Sequence, residues 1–223
     1  MKLRTAEAWI EEYRRRGALW IHDENSKRPH ALLTSGNHSS GFFNSELVME
    51  DSTLLDEACF DLVQSLCEKG LNLDEVDRVV GPAMGAITLA HDLSRQIARH
   101  CKHICLRAYT EKGLDGDKPV HVFTKTKIWP RERILPSEDV LTTGGSVVLT
   151  TNAVLNAGGI VLPFVAVLVN RSGLTEVDGK KIVALIDRPM PIWTPDECPL
   201  CQAGSEAIRP KGTDNWARLN AEY

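Results

Sequence analysis

Hydrophobic residues recur along the chain at two spacings, and each spacing predicts a different kind of element. Apolar positions three and four apart predict amphipathic helices, while short apolar runs between turn residues predict buried strands. Helices are predicted at 5–16, 54–67, about 86–99 and 147–155. Strands are predicted at 30–34, 42–49, 78–81, 103–109, 120–126, 133–137, 160–169 and 181–187. Strands that alternate with helices predict a doubly wound parallel sheet that binds ligands outside the carboxyl ends of its strands.

One segment between these elements is almost devoid of apolar residues. Residues 111–119 read Glu-Lys-Gly-Leu-Asp-Gly-Asp-Lys-Pro, a polar and glycine-rich stretch that predicts a mobile loop. The strands at 120–126 and 133–137 that follow are expected to pair with each other. The chain length suits a single α/β domain that covers 1–223.

Composition narrows the class of protein. The chain is 43 % hydrophobic and 25 % charged, as in an ordinary globular domain. Its net charge of −4 argues against a nucleic-acid partner, because phosphate contacts need a concentrated basic surface. No apolar window predicts a membrane span, and the charged N-terminus is unlike a signal peptide. Six cysteines without secretory features indicate a reducing cytoplasm.

The segment 134–146 carries the strongest chemical pattern. An apolar run ends in two adjacent carboxylates, Glu138 and Asp139, and a turn of hydroxyl and glycine residues then leads into a helix. Backbone N–H groups at a helix N-terminus bind phosphate, and the helix dipole favours its charge. The carboxylates would repel that phosphate, so they are expected to accept bonds from ribose hydroxyls or to hold hydrated Mg²⁺. The pattern predicts a site for a phosphorylated sugar.

This segment resembles the phosphoribosyl diphosphate (PRPP) signature of type I phosphoribosyltransferases. The resemblance implies that Glu138 and Asp139 bind the ribose hydroxyls, with Mg²⁺ held nearby through PRPP and no direct protein ligand. It also implies PRPP contacts along the rest of the signature, from Val140, Leu141, Thr142, Thr143, Gly144, Gly145 and Ser146. Pro136 departs from the family pattern, and a local bulge or a lost hydrogen bond is expected there because proline has no N–H.

Residues 81–86, Gly-Pro-Ala-Met-Gly-Ala, resemble the diphosphate loop of the same family. Small residues let backbone amides approach a diphosphate that a larger side chain would block. The resemblance implies PRPP contacts from Pro82, Ala83, Met84 and Gly85. An ordinary strand–helix turn that begins with proline is the alternative. Some relatives carry a lysine where this chain has Gly85, and its absence reduces the positive charge expected near the diphosphate.

Two further segments resemble orotate phosphoribosyltransferases. Residues 33–44 are similar to the family's orotate loop, which implies base contacts from Ser35, Gly36, Phe42 and Phe43. An aromatic ring can stack on a pyrimidine, but alternation along a strand leaves only one of the two rings available. Arg171 resembles the arginine that holds the orotate carboxylate, for which a planar guanidinium offers two parallel hydrogen bonds. Thr142 is implied as an additional orotate contact. Many relatives have a lysine at the position of Thr34.

The polar segment 111–119 resembles the flexible catalytic loop of the family, although its basic residues are sparser. That loop closes over the site, often from the neighbouring subunit, and brings a lysine to the leaving diphosphate. The lysine neutralises developing charge, and the closed loop excludes water. Lys112 and Lys118 are the candidates, Lys112 also as a PRPP contact, and Asp139 completes the expected catalytic set.

The resemblance covers most of the chain and implies a complete architecture. It predicts a type I phosphoribosyltransferase-like α/β fold, a parallel sheet flanked by helices, with an N-terminal hood at about 1–50 and a C-terminal tail at about 190–223. It implies a cytoplasmic homodimer that uses Mg²⁺ to transfer phosphoribosyl from PRPP to orotate, giving orotidine 5′-phosphate and diphosphate in de novo pyrimidine synthesis. Two alternatives stay open: the same chemistry on another base, and a non-catalytic PRPP-sensing regulator.

Cys198-Pro-Leu-Cys201 has the spacing of half a zinc site and resembles a tail found in one branch of the family. The segment Cys101-Lys-His103-Ile-Cys105 can supply further ligands. Because one CxxC without a second matching pair is a weak signal, a core position for Cys101 and Cys105 is the alternative.

Overall fold

The computed structural model describes residues 3–101 and 103–223. Its helices are α1 (Ala6–Arg15), α2 (Glu46–Met49), α3 (Ser52–Glu68), α4 (Ile87–Cys101), α5 (Gly145–Asn156), α6 (Pro199–Gln202) and α7 (Asn215–Asn220). Its first strands are β1 (Leu19–Ile21), β2 (His30–Leu32), β3 (His38–Ser39), β4 (Gly41–Phe43), β5 (Arg78–Pro82), β6 (Leu106–Asp115) and β7 (Lys118–Val122). The remaining strands are β8 (Arg133–Leu141), β9 (Ile160–Val161), β10 (Phe164–Asn170), β11 (Glu176–Val177), β12 (Lys180–Asp187) and β13 (Ala207–Ile208). No described helix is long and apolar enough to cross a membrane.

The central sheet has the strand order β11-β12-β10-β8-β5-β6-β7, with β9 paired to β8. The inner strands β12, β10, β8, β5 and β6 are parallel, while β11 and β7 add antiparallel edges. Since β5 and β8 are parallel neighbours, the segments that follow them leave the sheet at the same edge. The predicted parallel sheet flanked by helices is confirmed.

Buried strands of this sheet send successive side chains to opposite faces, and each face carries its own helical layer. Val79 and Leu135 lie in the main core with α3 and α4. The adjacent residues Val80 and Ile134 lie on the other face in a cluster with Val154 of α5. This period of two is the geometry of a strand that is buried on both sides.

Pro136 sits in the middle of β8 without distorting it. The register of β5 against β8 is continuous through the pair Val80–Pro136, so the expected bulge is absent at this pair. The ladder between β8 and β10 begins one residue later, at Ser137 and Ala166. The Ser137 hydroxyl also donates to the Val80 carbonyl over 3.3 Å, which adds a bond between β8 and β5 beside the proline.

The segment 111–119, predicted to be a mobile loop, is a β-hairpin. β6 and β7 pair from Glu111–Val122 to Asp115–Lys118, and Gly116 turns the chain with a φ of +59°. The expected pairing of 120–126 with 133–137 is therefore wrong, since β7 pairs with β6. Apolar content misled the prediction because turn chemistry and backbone hydrogen bonds form this exposed hairpin with little apolar burial.

Strands of the first 50 residues pack with the C-terminal tail. β13 of the tail pairs with β2, which pairs with β3, and β1 pairs with β4. The Trp20 indole N–H donates to the Leu219 carbonyl over 2.8 Å, and both side chains lie in a small core separate from the main one. The N-terminal strands thus depend on the end of the chain for part of their burial.

Candidate active site

The acidic pair lies in β8, three residues or less from its end at Leu141. Glu138 is buried, whereas Asp139 is half-buried and faces the connection between β5 and α4. A Cβ atom added to Gly85 would stand 2.8 Å from both carboxylate oxygens of Asp139. The structure therefore brings the signature and the expected diphosphate loop into contact.

Glu138 is a buried carboxyl group with little to stabilise its charge. Burial raises its pKa well above the ordinary value, the charge of Asp139 adds to the rise, and the charge of Lys112 opposes it. Burial disfavours the ionised form, and a nearby cation favours it. Burial and the charge of Asp139 thus shift Glu138 toward its protonated form, and positive charge arriving at this edge of the sheet would favour ionisation.

Val140 and Leu141, expected among the PRPP contacts, direct their side chains into the protein. Leu141 is 1 % exposed and packs with Val147 and Val165, while Val140 packs against the main core. Their backbone is used as well, since the Leu141 carbonyl accepts from the Arg171 N–H over 3.0 Å. The side chains of both residues are structural, so the PRPP contacts expected from Val140 and Leu141 would have to come from their backbone.

The turn after β8 has the backbone geometry of an anion site. Gly144 adopts a φ of +82° and α5 begins at the next residue. Within the described chain, the amides of Thr143, Gly144, Gly145 and Ser146 donate to no protein acceptor. Amides that precede a helix and have no acceptor present a concave array of N–H groups to a phosphate. Thr142 is half-buried, and Gly145 and Ser146 are exposed.

The connection between β5 and α4 forms a second set of backbone donors. A Cβ atom on Gly81 would lie 2.6 Å from the Ala86 carbonyl oxygen, so only glycine permits this fold-back. The Ala83 N–H donates to the Thr110 carbonyl over 2.7 Å, and the Ala83–Met84 peptide bond is cis. In the described residues the amides of Met84 and Gly85 have no acceptor. They are available beside Asp139.

The two candidate lysines occupy different parts of the hairpin. Lys112 pairs in register with His121. Burial and the charge of Lys112 lower the pKa of His121, and the same lysine acts on Glu138. Lys118 lies at the turn, beyond Lys112 by roughly 10 Å at the usual rise of a strand. Of these two lysines, Lys112 is therefore the one near the acidic pair of its own chain.

Arg171 follows β10 and is 1 % exposed. The sequence did not predict its contacts with the hood. Arg171 donates to the Gly41 carbonyl over 3.0 Å and to the Ser39 hydroxyl over 2.6 Å. Its Nε has no partner in the described residues, and no described carboxylate contributes to its pKa. Burial lowers its pKa to about 10. A buried guanidinium without a counter-charge is costly, and an anionic ligand would offset that cost.

The segment 33–44 only partly matches its expected role. Ser35 is exposed at the turn, but the Gly36 N–H donates to the Leu33 carbonyl over 3.0 Å and is not available to a carboxylate. Phe43 is 1 % exposed and packs edge-on against Tyr13, so its expected base contact is wrong. Phe42 is the accessible ring of the pair, as alternation predicts, and its centroid lies 5.8 Å from that of Trp216.

No protein-family model matches the chain. It is 34 % identical over 181 residues to the orotate phosphoribosyltransferase of Caldicellulosiruptor bescii, covering 81 % of this chain and 87 % of the relative. It is 32 % identical over 184 residues to the orotate phosphoribosyltransferase of Pelotomaculum thermopropionicum, with coverage of 81 % and 87 %.

A solved structure shows the same fold. The crystal structure of orotate phosphoribosyltransferase from Aeropyrum pernix superposes with a TM-score of 0.57 at 23 % identity, covering 79 % of this chain and 91 % of that one. The identities above 30 % span most of both sequences, and the superposed fold agrees with them. The chain belongs to the orotate phosphoribosyltransferase family of pentosyltransferase enzymes.

Proposed function

We propose that the protein transfers the phosphoribosyl group of PRPP to orotate, giving orotidine 5′-phosphate and diphosphate in de novo pyrimidine synthesis. The observation that carries this proposal is the contact of Asp139 with Gly85, which joins the acidic pair to the loop after β5. One ligand with a ribose between a phosphate and a diphosphate matches this arrangement. Family membership supplies the acceptor class.

PRPP would lie along the carboxyl ends of β5 and β8. The amides of the turn before α5 are the donors for its 5-phosphate, and Glu138 and Asp139 accept bonds from its ribose hydroxyls. The amides of Met84 and Gly85 are the donors for its diphosphate. Oriented in this way, the ribose C1′ faces the base while both charged ends are held by fixed dipoles.

Mg²⁺ fits the same edge, because carboxylate oxygens are the ligands that this hard cation prefers. Asp139 and Glu138 would hold it through bound PRPP, and positive charge there would ionise the buried Glu138. When bound, the ion would neutralise charge on the diphosphate. The protein's own cation at this position is Lys112, whose charge already acts on Glu138.

The base would lie between the turn before α5 and the hood, where Ser35, Phe42 and Thr142 remain candidates for contacts. Orotate carries a carboxylate, and Arg171 is a buried cation with an Nε–H that no atom of the described residues accepts. This combination favours an anionic pyrimidine over a neutral base. The hydrogen bonds from Arg171 to Ser39 and Gly41 fix the hood beside it.

We infer further that the enzyme is a cytoplasmic homodimer. The hairpin of β6 and β7 carries Lys118 away from the acidic pair of its own chain. A two-fold dimer, the commonest oligomer symmetry, would bring that lysine to the partner's site and help to exclude water. Lys112 would act within its own chain.

The test is turnover of orotate with PRPP, with and without Mg²⁺, followed by formation of orotidine 5′-phosphate. Uracil, hypoxanthine and adenine are assayed in parallel, and orotate is expected to be the only substrate of the four. Asp139→Asn is expected to abolish turnover, while Asp23→Asn, which changes an exposed carboxylate in the hood, leaves it unchanged. Turnover of adenine or hypoxanthine in place of orotate would contradict the proposal.

The role of Arg171 has its own assay. Arg171→Ala is expected to raise the KM for orotate far more than that for PRPP. Removing one member of a buried pair of opposite charges weakens binding by about 2–5 kcal/mol. Ser39→Ala is the comparison variant, since it removes the bond from Arg171 to the Ser39 hydroxyl, together with that hydroxyl's bonds to the Pro191 carbonyl and the Gly41 N–H, and keeps the guanidinium. If Ser39→Ala raises the KM for orotate as much as Arg171→Ala does, the arginine acts by positioning the hood.

A further inference from the structure

Cys198 and Cys201 lie beside two histidines of the hood. The sequence suggested Cys101, His103 and Cys105 as their partners, and this is wrong, because the structure groups Cys198 and Cys201 with His30 and His38. Cys101 and His103 lie in a separate group with Asp74. Sequence inspection missed the two histidines because no local spacing connects residues 30 and 38 with 198 and 201.

The four side chains have the separations of a tetrahedral metal site. All four ligand atoms lie within 4.8 Å of one another, and His30 Nε2 is 3.1 Å from His38 Nδ1. Three sulfur–nitrogen distances are 3.5 Å, 3.4 Å and 3.2 Å. Zinc bonds of ~2.0–2.1 Å to nitrogen and ~2.3 Å to sulfur imply tetrahedral edges of roughly 3.3–3.8 Å. Four of the six separations lie within a few tenths of an ångström of these edges and the other two are within 4.8 Å, so small side-chain movements would let the cluster hold zinc.

A second contact aims His30 at the centre of this cluster. The Ser205 hydroxyl donates to the Arg28 carbonyl over 2.6 Å, so its oxygen is left to accept from His30 Nδ1 at 2.8 Å. His30 then carries its proton on Nδ1 and points the Nε2 lone pair inward. Such an outer partner, which fixes the tautomer and the ring orientation, is typical of histidines that bind metals.

Hydrogen bonds among the four residues do not give each of their polar side-chain atoms a partner. His30 Nε2 has one lone pair, yet His38, Cys198 and Cys201 all lie within 3.5 Å of it. His30 and Cys198 are fully buried, His38 is nearly so and Cys201 is half-buried, which leaves little solvent to compensate. A cation at the centre would use all four lone pairs at once.

We propose that His30, His38, Cys198 and Cys201 form a structural zinc site that fastens the C-terminal tail to the hood. Four protein ligands close the coordination sphere, as in structural rather than catalytic zinc sites. The site would reinforce the backbone pairing of His38 with Trp193, whose two hydrogen bonds are 2.8 Å and 3.0 Å long. It also holds the tail beside Ser39, which bonds to Arg171.

Metal analysis of the full chain tests this proposal. The protein, expressed with zinc in the medium and purified without chelator, is expected to contain about one zinc per chain. Cys201→Ser is expected to lose that zinc, whereas Cys101→Ser, in the other group of possible ligands, keeps it. Cys201→His replaces one zinc ligand by another and is expected to restore binding, which separates ligation from a failure to fold. Loss of zinc with Cys101→Ser and not with Cys201→Ser would overturn the assignment.

Cobalt gives a readout that needs neither activity nor a variant. Co²⁺ added to the metal-stripped wild-type protein is expected to produce the visible bands of a tetrahedral thiolate complex, and added zinc should remove them. Stripping is also expected to lower the melting temperature, because a ligand bound only by the folded state stabilises it. A wild-type protein without zinc that gives no cobalt bands refutes the proposal.

Discussion

Replacement of Gly144 by alanine tests the geometry of the phosphate turn directly. The backbone φ of +82° is unfavourable for a residue with a Cβ, at a cost of about 1–2 kcal/mol. The added Cβ would also lie 2.5 Å from Cγ2 of Val177, and such overpacking costs about 1–3 kcal/mol. We therefore expect a loss of ~3 kcal/mol, which at ~2–4 °C per kcal/mol lowers the melting temperature by roughly 6–12 °C.

Gly145 provides the matched control. A Cβ there meets nothing closer than the Thr143 hydroxyl at 3.7 Å, and alanine is a better helix residue than glycine. Gly145→Ala should therefore melt at or slightly above the wild-type temperature.

Adding Val177→Ala to Gly144→Ala should relieve the clash but leave the cost of the positive φ. The coupling free energy between the two substitutions in a double-mutant cycle should then be about 1–3 kcal/mol. Calorimetric melts of all the variants measure this. Equal melting temperatures for Gly144→Ala and Gly145→Ala would refute the reasoning.

Three further predictions concern the charged groups of the site. Glu138→Gln should raise the melting temperature at neutral pH. Because the pKa of Glu138 is raised in the folded state, the wild type loses stability as pH rises above the unfolded-state pKa. Melts from pH 4 to 8 should therefore show the difference in melting temperature between Glu138→Gln and the wild type growing as pH rises. Replacing both Glu138 and Asp139 by amides should weaken PRPP binding in calorimetric titration while circular dichroism stays unchanged, and unaltered affinity would reject their role. Mixing Asp139→Asn subunits with Lys118→Ala subunits should restore part of the activity, since one site per mixed dimer regains both groups. The same mixture with Lys112→Ala should stay inactive if Lys112 acts within its own chain.

The features predicted correctly from sequence are those written in contiguous residues. β8, the acidic pair, the glycine turn and α5 follow one another without a break, so apolar patterning and turn chemistry were enough to predict them. The turn at 81–86 between β5 and α4 was predicted for the same reason, since its small residues directly follow an apolar run. Parallel order then placed both segments at one edge of the sheet, because β5 and β8 are neighbours.

The errors arose where exposed backbone or packing decided the outcome. The segment 111–119 looked like a loop because it is polar, but β6 and β7 satisfy their backbone through cross-strand hydrogen bonds. The inward direction of Phe43 and the internal bond of the Gly36 amide depend on neighbours that the local pattern does not contain.

Sequence alone thus determined the parallel sheet, the signature and the family resemblance, since each rests on residues close together in the chain. Tertiary structure alone decided which distant groups meet. It placed Arg171 against Ser39 and Gly41, and it placed the Cys198–Cys201 pair beside His30 and His38. The physical reason is that strand pairing and burial fix these contacts across more than a hundred residues, a separation at which helical and strand periodicities carry no information.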